Sequence, residues 1–295
     1  MTTTATTTAG TRPPRTRLQR LVSILRGSPG VPIGGGALLF FAVVALTGHS
    51  WVPDPFAQDV INRLQPPSAD AWFGTDEFGR DLFARMVTGT RTTLLVGATV
   101  SLLAGIAGVL MGMLAGYYGR LDGVIMRVMD GLLAFPSVVL ALGLVAALGP
   151  RISNTIIALA IVYTPRIARL IRGVVLSLKQ QDYVMAARAL GARDERILRS
   201  HVLRNIVDVI IVQLSYIFAL AVIAESALSF LGVTGSVTNP SWGGILSDGR
   251  TYIYQAPSMT VIPGILIALL VLALNVLGDG LQERLDPRLR GQFRG

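Results

Sequence analysis

The sequence predicts an all-α, polytopic integral membrane protein with six transmembrane helices and both termini cytoplasmic, and three observations predict it. Of its 295 residues, 52% are hydrophobic and only 15% are charged, against roughly 25% charged in soluble chains. The apolar residues come in runs of about 20, the length that crosses a bilayer as a helix. The cations also alternate between loops. With the N-terminus inside, about 20 of the 26 Lys and Arg lie on the cytoplasmic side and about 6 outside, which is the positive-inside bias.

The elements follow in order. Residues 1–30 are Thr-rich and then basic, with no acid; they are expected to form a disordered cytoplasmic tail, with a short surface helix from Arg17 to Leu25. The first span covers 31–50. It is retained rather than cleaved, because its run ends in TGHSWVP without a small-x-small site. An extracytoplasmic segment, 51–91, leads to a five-helix core over 92–280, and residues 281–295 form a cytoplasmic tail.

The second span, Thr92 to Tyr117, carries Gly108, Gly112 and Gly116 at spacing four. That spacing stacks small residues on one face and admits a close neighbour. The third, about 123–148, is expected to kink at Phe135-Pro136, and the fourth, about 153–176, at Pro165. The fifth runs from Ile206 to Leu231 and the sixth from Met259 to Leu277. Between spans five and six lies an outer loop, 232–257; between four and five lies a polar cytoplasmic loop, 177–204.

Ionisable groups in or near spans are Asp122, Arg127, Asp130, Asp208, Glu225 and Asp279, and such groups are functional candidates by default. Arg127 and Asp130, three apart, are expected to pair with each other. Glu225, beside Ser226 and Ser229, reads equally as a group lining a polar pathway and as a hydrogen-bonded packing group.

Several function classes are excluded or weakened. The net charge of +9 is spread by topology rather than gathered into a nucleic-acid patch. There is no Cys, and His49 and His201 are the only histidines, so no metal cluster or disulfide framework is expected. No GxxxxGK[ST] phosphate loop occurs, no nucleophile-and-base arrangement stands out, and no repeated filter signature suggests a channel. No catalytic residues are therefore assigned.

The loop around 180–205 reads QQDYVMAARALGARDERILRSHVLRN. A short helix, a turn at Gly191, and a second basic helix ending at His201 and Asn205 are expected. Ala186, Ala187, Ala189 and Ala192 would let another surface approach the backbone, Tyr183 and Leu190 would anchor it, and Gly191 tolerates a left-handed turn. A helix lying flat on the bilayer is the rival reading.

The pattern A-A-x3-G-x9-H-V-L resembles the EAA loop of bacterial ABC-importer permeases. The likeness extends to the second, C-type permease subunit of the dipeptide/oligopeptide/nickel group. It covers FGTDEFGRDLFARMVTGTRTTLLVG (73–97), MRVMDGLLAFPSVVLAL (126–142), QDYVMAARALGA (181–192), ESALSFLGV (225–233), PSWGGILSDGR (240–250) and NVLGDGLQERLDPRLR (275–290). Two positions depart: Met185 stands where the family usually has Glu, and Arg204 where it usually has Pro.

The resemblance implies the type I ABC-importer permease fold in the plasma (inner) membrane, and a peptide importer, with a nickel or metal-chelate importer as the alternative. It implies no cofactor on this chain, ATP and Mg being bound by partner subunits. Those partners would be one or two ATPase subunits (or a fused one), a homologous permease subunit and an extracytoplasmic substrate-binding protein. Gln181, Asp182, Tyr183, Met185, Ala186, Ala187, Leu190 and Gly191 would meet the ATPase, and Glu225, Asp130 and Ser229 are candidates for the pathway. A membrane scaffold without an ATPase partner and a proton-coupled carrier relaying through Glu225 or Asp130 are the readings from other classes.

Overall fold

The computed structural model describes residues 29–233 and 240–285; the expected tails, including the Arg17–Leu25 helix, lie outside them. Nine helices organise the described chain: α1 Gly30–Thr47, α2 Leu82–Tyr117, α3 Gly119–Leu133, α4 Ser137–Leu148, α5 Ile152–Leu178, α6 Asp182–Ala189, α7 Asp194–Phe230, α8 Trp242–Gly249 and α9 Ser258–Leu285. Four of them (α1 with its terminal 3-10 turn, α2, α7 and α9) are long and apolar enough to cross a membrane, and the bent pair α3–α4 would supply a fifth. The fourth expected span is α5. Its 27 residues suffice in length, but Arg166, Arg169 and Arg172 interrupt its apolar run, so at most five of the six expected spans meet that criterion.

Three boundaries differ from expectation. α2 begins ten residues before Thr92, because Asp81 caps it: Asp81 Oδ1 accepts from the Phe83 N–H at 2.8 Å and the Ala84 N–H at 3.2 Å. The expected outer segment 51–91 therefore gives up its last ten residues to a helix. α3 and α4 are not one kinked span. They meet at 93° across Ala134–Pro136, where Pro136 has no N–H to continue the ladder. Finally, the basic helix after Gly191 does not end at Asn205. It runs on as α7 for 37 residues, widening to a π turn over Leu198–Leu203.

Two apolar clusters hold the bundle. One joins α2, α4, α5, α6 and α7 through Val100, Ala104, Ala141, Leu159, Ile167, Ile171, Val184, Ile197 and Ile217. The other joins α1, α2, α8 and α9 through Phe41, Leu82, Met86, Trp242, Ile245, Met259 and Leu274. α2 belongs to both and packs along α5. A Cβ built on Gly108 would lie 2.6 Å from Ile167 Cβ, on Gly112 2.6 Å from the Ala168 carbonyl oxygen, and on Gly116 2.8 Å from Val175 Cβ, all inside van der Waals contact. Only glycine fits there.

Candidate functional site

Two polar constructions occupy opposite ends of α2. At its C-terminal end is the loop of α6 and the start of α7. Gln181, in extended backbone, precedes α6, and Asp182 lies in the first turn, where a carboxylate complements the helix dipole. Gly191, at φ +82°, closes the helix. The Gly191 N–H donates to the Arg188 carbonyl and the Ala192 N–H to the Ala187 carbonyl, both at 3.0 Å. This is a Schellman cap, whose left-handed position strongly favours glycine. One side chain of α6 is buried, Val184 at 1% exposure, within the cluster holding Ile197 and Val202. Gln181, Asp182, Tyr183, Met185 and Ala186 are exposed, Ala187 is half-buried, and Leu190 is 89% exposed. The helix thus stands on one apolar foot and presents the rest.

Polar contacts tie this loop to α2. The Tyr117 hydroxyl donates to Asp194 Oδ1 at 2.6 Å and accepts from Arg188 at 3.2 Å, and Lys179 Nζ donates to the Gly116 carbonyl at 3.2 Å. The hydrogen bond to Tyr117 raises the pKa of the Arg188 guanidinium. Asn205 Nδ2 reaches the Tyr183 hydroxyl at 3.4 Å, while the Tyr183 and His201 rings lie 6.0 Å apart.

At the other end of α2 the turn 74–81 folds over a buried ion network. Asp76 accepts from Arg80 Nε at 2.6 Å, from Arg85 at 2.8 Å, and from the Phe78 and Arg80 N–H groups at 2.9 Å. Arg80 also donates to Glu77 at 3.1 Å and Arg85 to Asp248 of α8 at 3.4 Å. Burial pushes the Glu77 and Asp248 carboxyls above the usual carboxylate range, and Arg85 partly offsets that at Asp248.

Nearby, α8 packs over α7. Glu225 is buried in the seam, where its Oε1 accepts from Ser229 at 2.8 Å and from Ser241 at 3.0 Å. Its Oε2 and the Ser226 hydroxyl have no partner among the described residues. Ser241 caps α8 by accepting from the Gly244 N–H at 3.1 Å. Trp242 is fully buried and donates from its indole to the Met86 carbonyl at 2.9 Å. The expected outer loop 232–257 therefore contains a helix with a core tryptophan.

A third polar region lies between α3 and α5, where a cavity of about 600 Å³ is lined by Asp122, Met126, Arg127, Asp130, Arg169 and Arg172. The expected Arg127–Asp130 pair does not form. Asp130 accepts instead from Arg169 at 2.6 Å, across to α5, and Asp122 takes a bidentate contact from Arg172 at 2.5 and 2.6 Å. Both acids are thus taken by arginines of the facing helix, in charge-assisted bonds that for Asp122 are bidentate.

The structure thus gathers the residues of 181–191 into one exposed helix and turn, and sets Glu225 with Ser229 in a packed seam. Asp130 lies apart from that seam, on the wall of the α3–α5 cavity. Sequence reasoning missed Tyr117, Arg188, Asp194 and the Asp76–Arg80–Arg85–Asp248 network. For the network a signal existed: three acids and two arginines within FGTDEFGRDLFAR, beside an apolar run, are too many charges to leave buried without pairing.

Residues 106–291 match the family described as the binding-protein-dependent transport system inner membrane component. The chain is 47% identical over 252 residues, 85% of its own length and 83% of the relative's, to a dipeptide transport system permease protein of Alkalihalophilus pseudofirmus. It is 43% identical over 266 residues, 86% of its length and 85% of the relative's, to a glutathione transport system permease protein of Escherichia coli O6:K15:H31.

Proposed function

The chain belongs to the inner-membrane-component family of binding-protein-dependent transport systems, and from that premise we propose that it is a permease subunit of an ATP-driven peptide importer. It forms the translocation path with a homologous permease subunit and is driven by separate ATPase subunits, while an extracytoplasmic binding protein delivers the peptide. The Gly191 end of the bundle faces the cytoplasm. The relatives named for dipeptide and glutathione transport support peptides as the substrate class.

The observation that carries the coupling role is α6 itself. A helix with one buried side chain, Val184, contributes little to the bundle's own core. Its exposed Tyr183 and Leu190 give a partner groove the large apolar anchors that dominate interface energetics. A push on α6 is then passed through Val184 and the Gly191 cap into α5 and α7. The α3–α5 cavity, with the pathway candidate Asp130 on its wall, is assigned to the path, because ionisable groups in or near spans face a watery route or a protein partner rather than lipid.

The test is ATP hydrolysis by the purified complex, with candidate ATPase and partner permease subunits co-expressed, comparing empty with peptide-loaded binding protein. Stimulation by peptide supports the proposal. Stimulation by a nickel chelate alone would reassign the substrate, and failure to assemble with any ATPase would leave a membrane scaffold.

A further inference from the structure

We propose that Tyr117 is the positioning residue of the coupling loop, locking the turn at Gly191 to the end of α2 so that loop and bundle move as one body. The proposal rests on the coupling role given to α6 above. Its ground is the set of partners the hydroxyl chooses. Tyr117 is the last residue of α2 and is buried. Its oxygen accepts from Arg188, before the Gly191 turn, and donates to Asp194, after it. Its partners flank the Gly191 turn, Arg188 on α6 and Asp194 at the first residue of α7, and neither lies on α2, to which the ring belongs. A tyrosine satisfied only for burial would donate to any carbonyl within reach. Here a cation, a hydroxyl and a carboxylate form a relay across the turn, and each bond polarises the next.

Two further contacts fix the clamp. Lys179, in the turn that follows α5, donates to the Gly116 carbonyl, one residue from Tyr117, at the helix end where the dipole favours a cation. The Tyr118 ring meets the Tyr117 ring edge-on at 5.0 Å between centroids, which holds the phenol in place. The C-terminus of α2 thus grips the loop at 179, 188 and 194. The turn's own backbone bonds run to the Arg188 and Ala187 carbonyls, and among the described residues no atom lies within 4 Å of a Cβ built on Gly191, so the side-chain hold on the turn comes from its flanks.

Tyr117→Phe removes the oxygen and keeps the ring, which Arg188 overlies at 5.5 Å. Two readouts are taken on the purified complex. Tyr117→Phe removes two hydrogen bonds to charged groups, so hydrogen exchange at the Gly191 and Ala192 amides is expected to quicken by about tenfold or more. Peptides imported per ATP hydrolysed are expected to fall several-fold at unchanged assembly and unchanged basal hydrolysis. Asp194→Ala should reproduce both effects, and combining it with Tyr117→Phe should add little, because the two break one relay. Unchanged exchange at both amides would overturn the clamp. So would an unchanged peptide-to-ATP ratio in a complex whose wild type responds to peptide. If the wild type itself shows no peptide response, the importer reading has failed, and exchange alone then decides whether Tyr117 holds the turn.

Discussion

At the scale of single residues, backbone geometry and buried charge decide the outcome. Gly191 sits at φ +82° with open space around it, so the penalty of any side chain is conformational, about 1–2 kcal/mol for an ordinary L residue. Gly191→Val, which adds β-branching, is expected to lower uptake while leaving ATP binding intact, and Gly191→Asn to be much milder. Parallel uptake assays check the order, and equal uptake would contradict it. Met185→Glu is expected to assemble and transport normally, because Glu is the residue that the resembled permeases usually carry at this loop position; loss of assembly would show that the partner groove has changed with Met185. Asp76→Ala, by contrast, strips both Arg80 and Arg85 of their shared carboxylate in a buried place. Loss of one partner from such a pair costs about 3–5 kcal/mol, to be read as a lowered Tm. The Gly191 turn was legible in the sequence because the need for a left-handed residue is local. The partner of Asp130 was not, since Arg169 lies 39 positions away and no local spacing encodes which helices will face each other.

At the scale of helices, the α2–α5 seam is held by backbone proximity. Gly112→Ala puts a methyl 2.6 Å from the Ala168 carbonyl oxygen, whereas Gly131→Ala on α3 meets nothing within 4 Å. The first is expected to force the helices apart and lower the melting temperature of the complex. The second is expected to be neutral or to stabilise by up to about 1 kcal/mol through helix propensity. Equal melting temperatures for the two variants would show that the seam is looser than this geometry requires. The spacing-four glycines made the close face readable. The start of α2 was harder: Arg85 and Arg91 look like loop residues until Asp76 and Asp248 are seen to neutralise Arg85 from elements outside the helix. Likewise the polar residues 194–205 hide the fact that α7 continues without interruption, because hydropathy reports where a helix meets lipid and not where it ends.

For the whole molecule, α2 is a single rod of 36 residues, about 54 Å at 1.5 Å per residue. It joins the Asp76–Arg85–Asp248 network at one end to the Tyr117 clamp at the other. Such a rod suits a machine in which events at the two membrane faces must stay in step. It also separates the readings of Glu225. A carboxylate held by Ser229 and Ser241 inside the α7–α8 seam does not need to exchange protons for transport driven by ATP. Glu225→Gln is therefore expected to retain uptake, and collapsing the membrane potential in ATP-loaded vesicles is expected to leave it unchanged. Loss of uptake in both experiments would favour a proton-coupled carrier. The membrane class and the order of the elements were readable from apolar runs and arginine placement. The buried networks were not, because they are assembled from segments that meet only after folding.

Trp242 offers an optical handle on these movements. Of three tryptophans, Trp51 and Trp72 are exposed while Trp242 is fully buried against Phe41, its ring centroid 5.5 Å away. Its emission, isolated as the difference between wild type and Trp242→Phe, should be the blue-shifted light of an indole shielded from water. A shift to longer wavelength when ATP is added would then time the unseating of α8 within a single turnover.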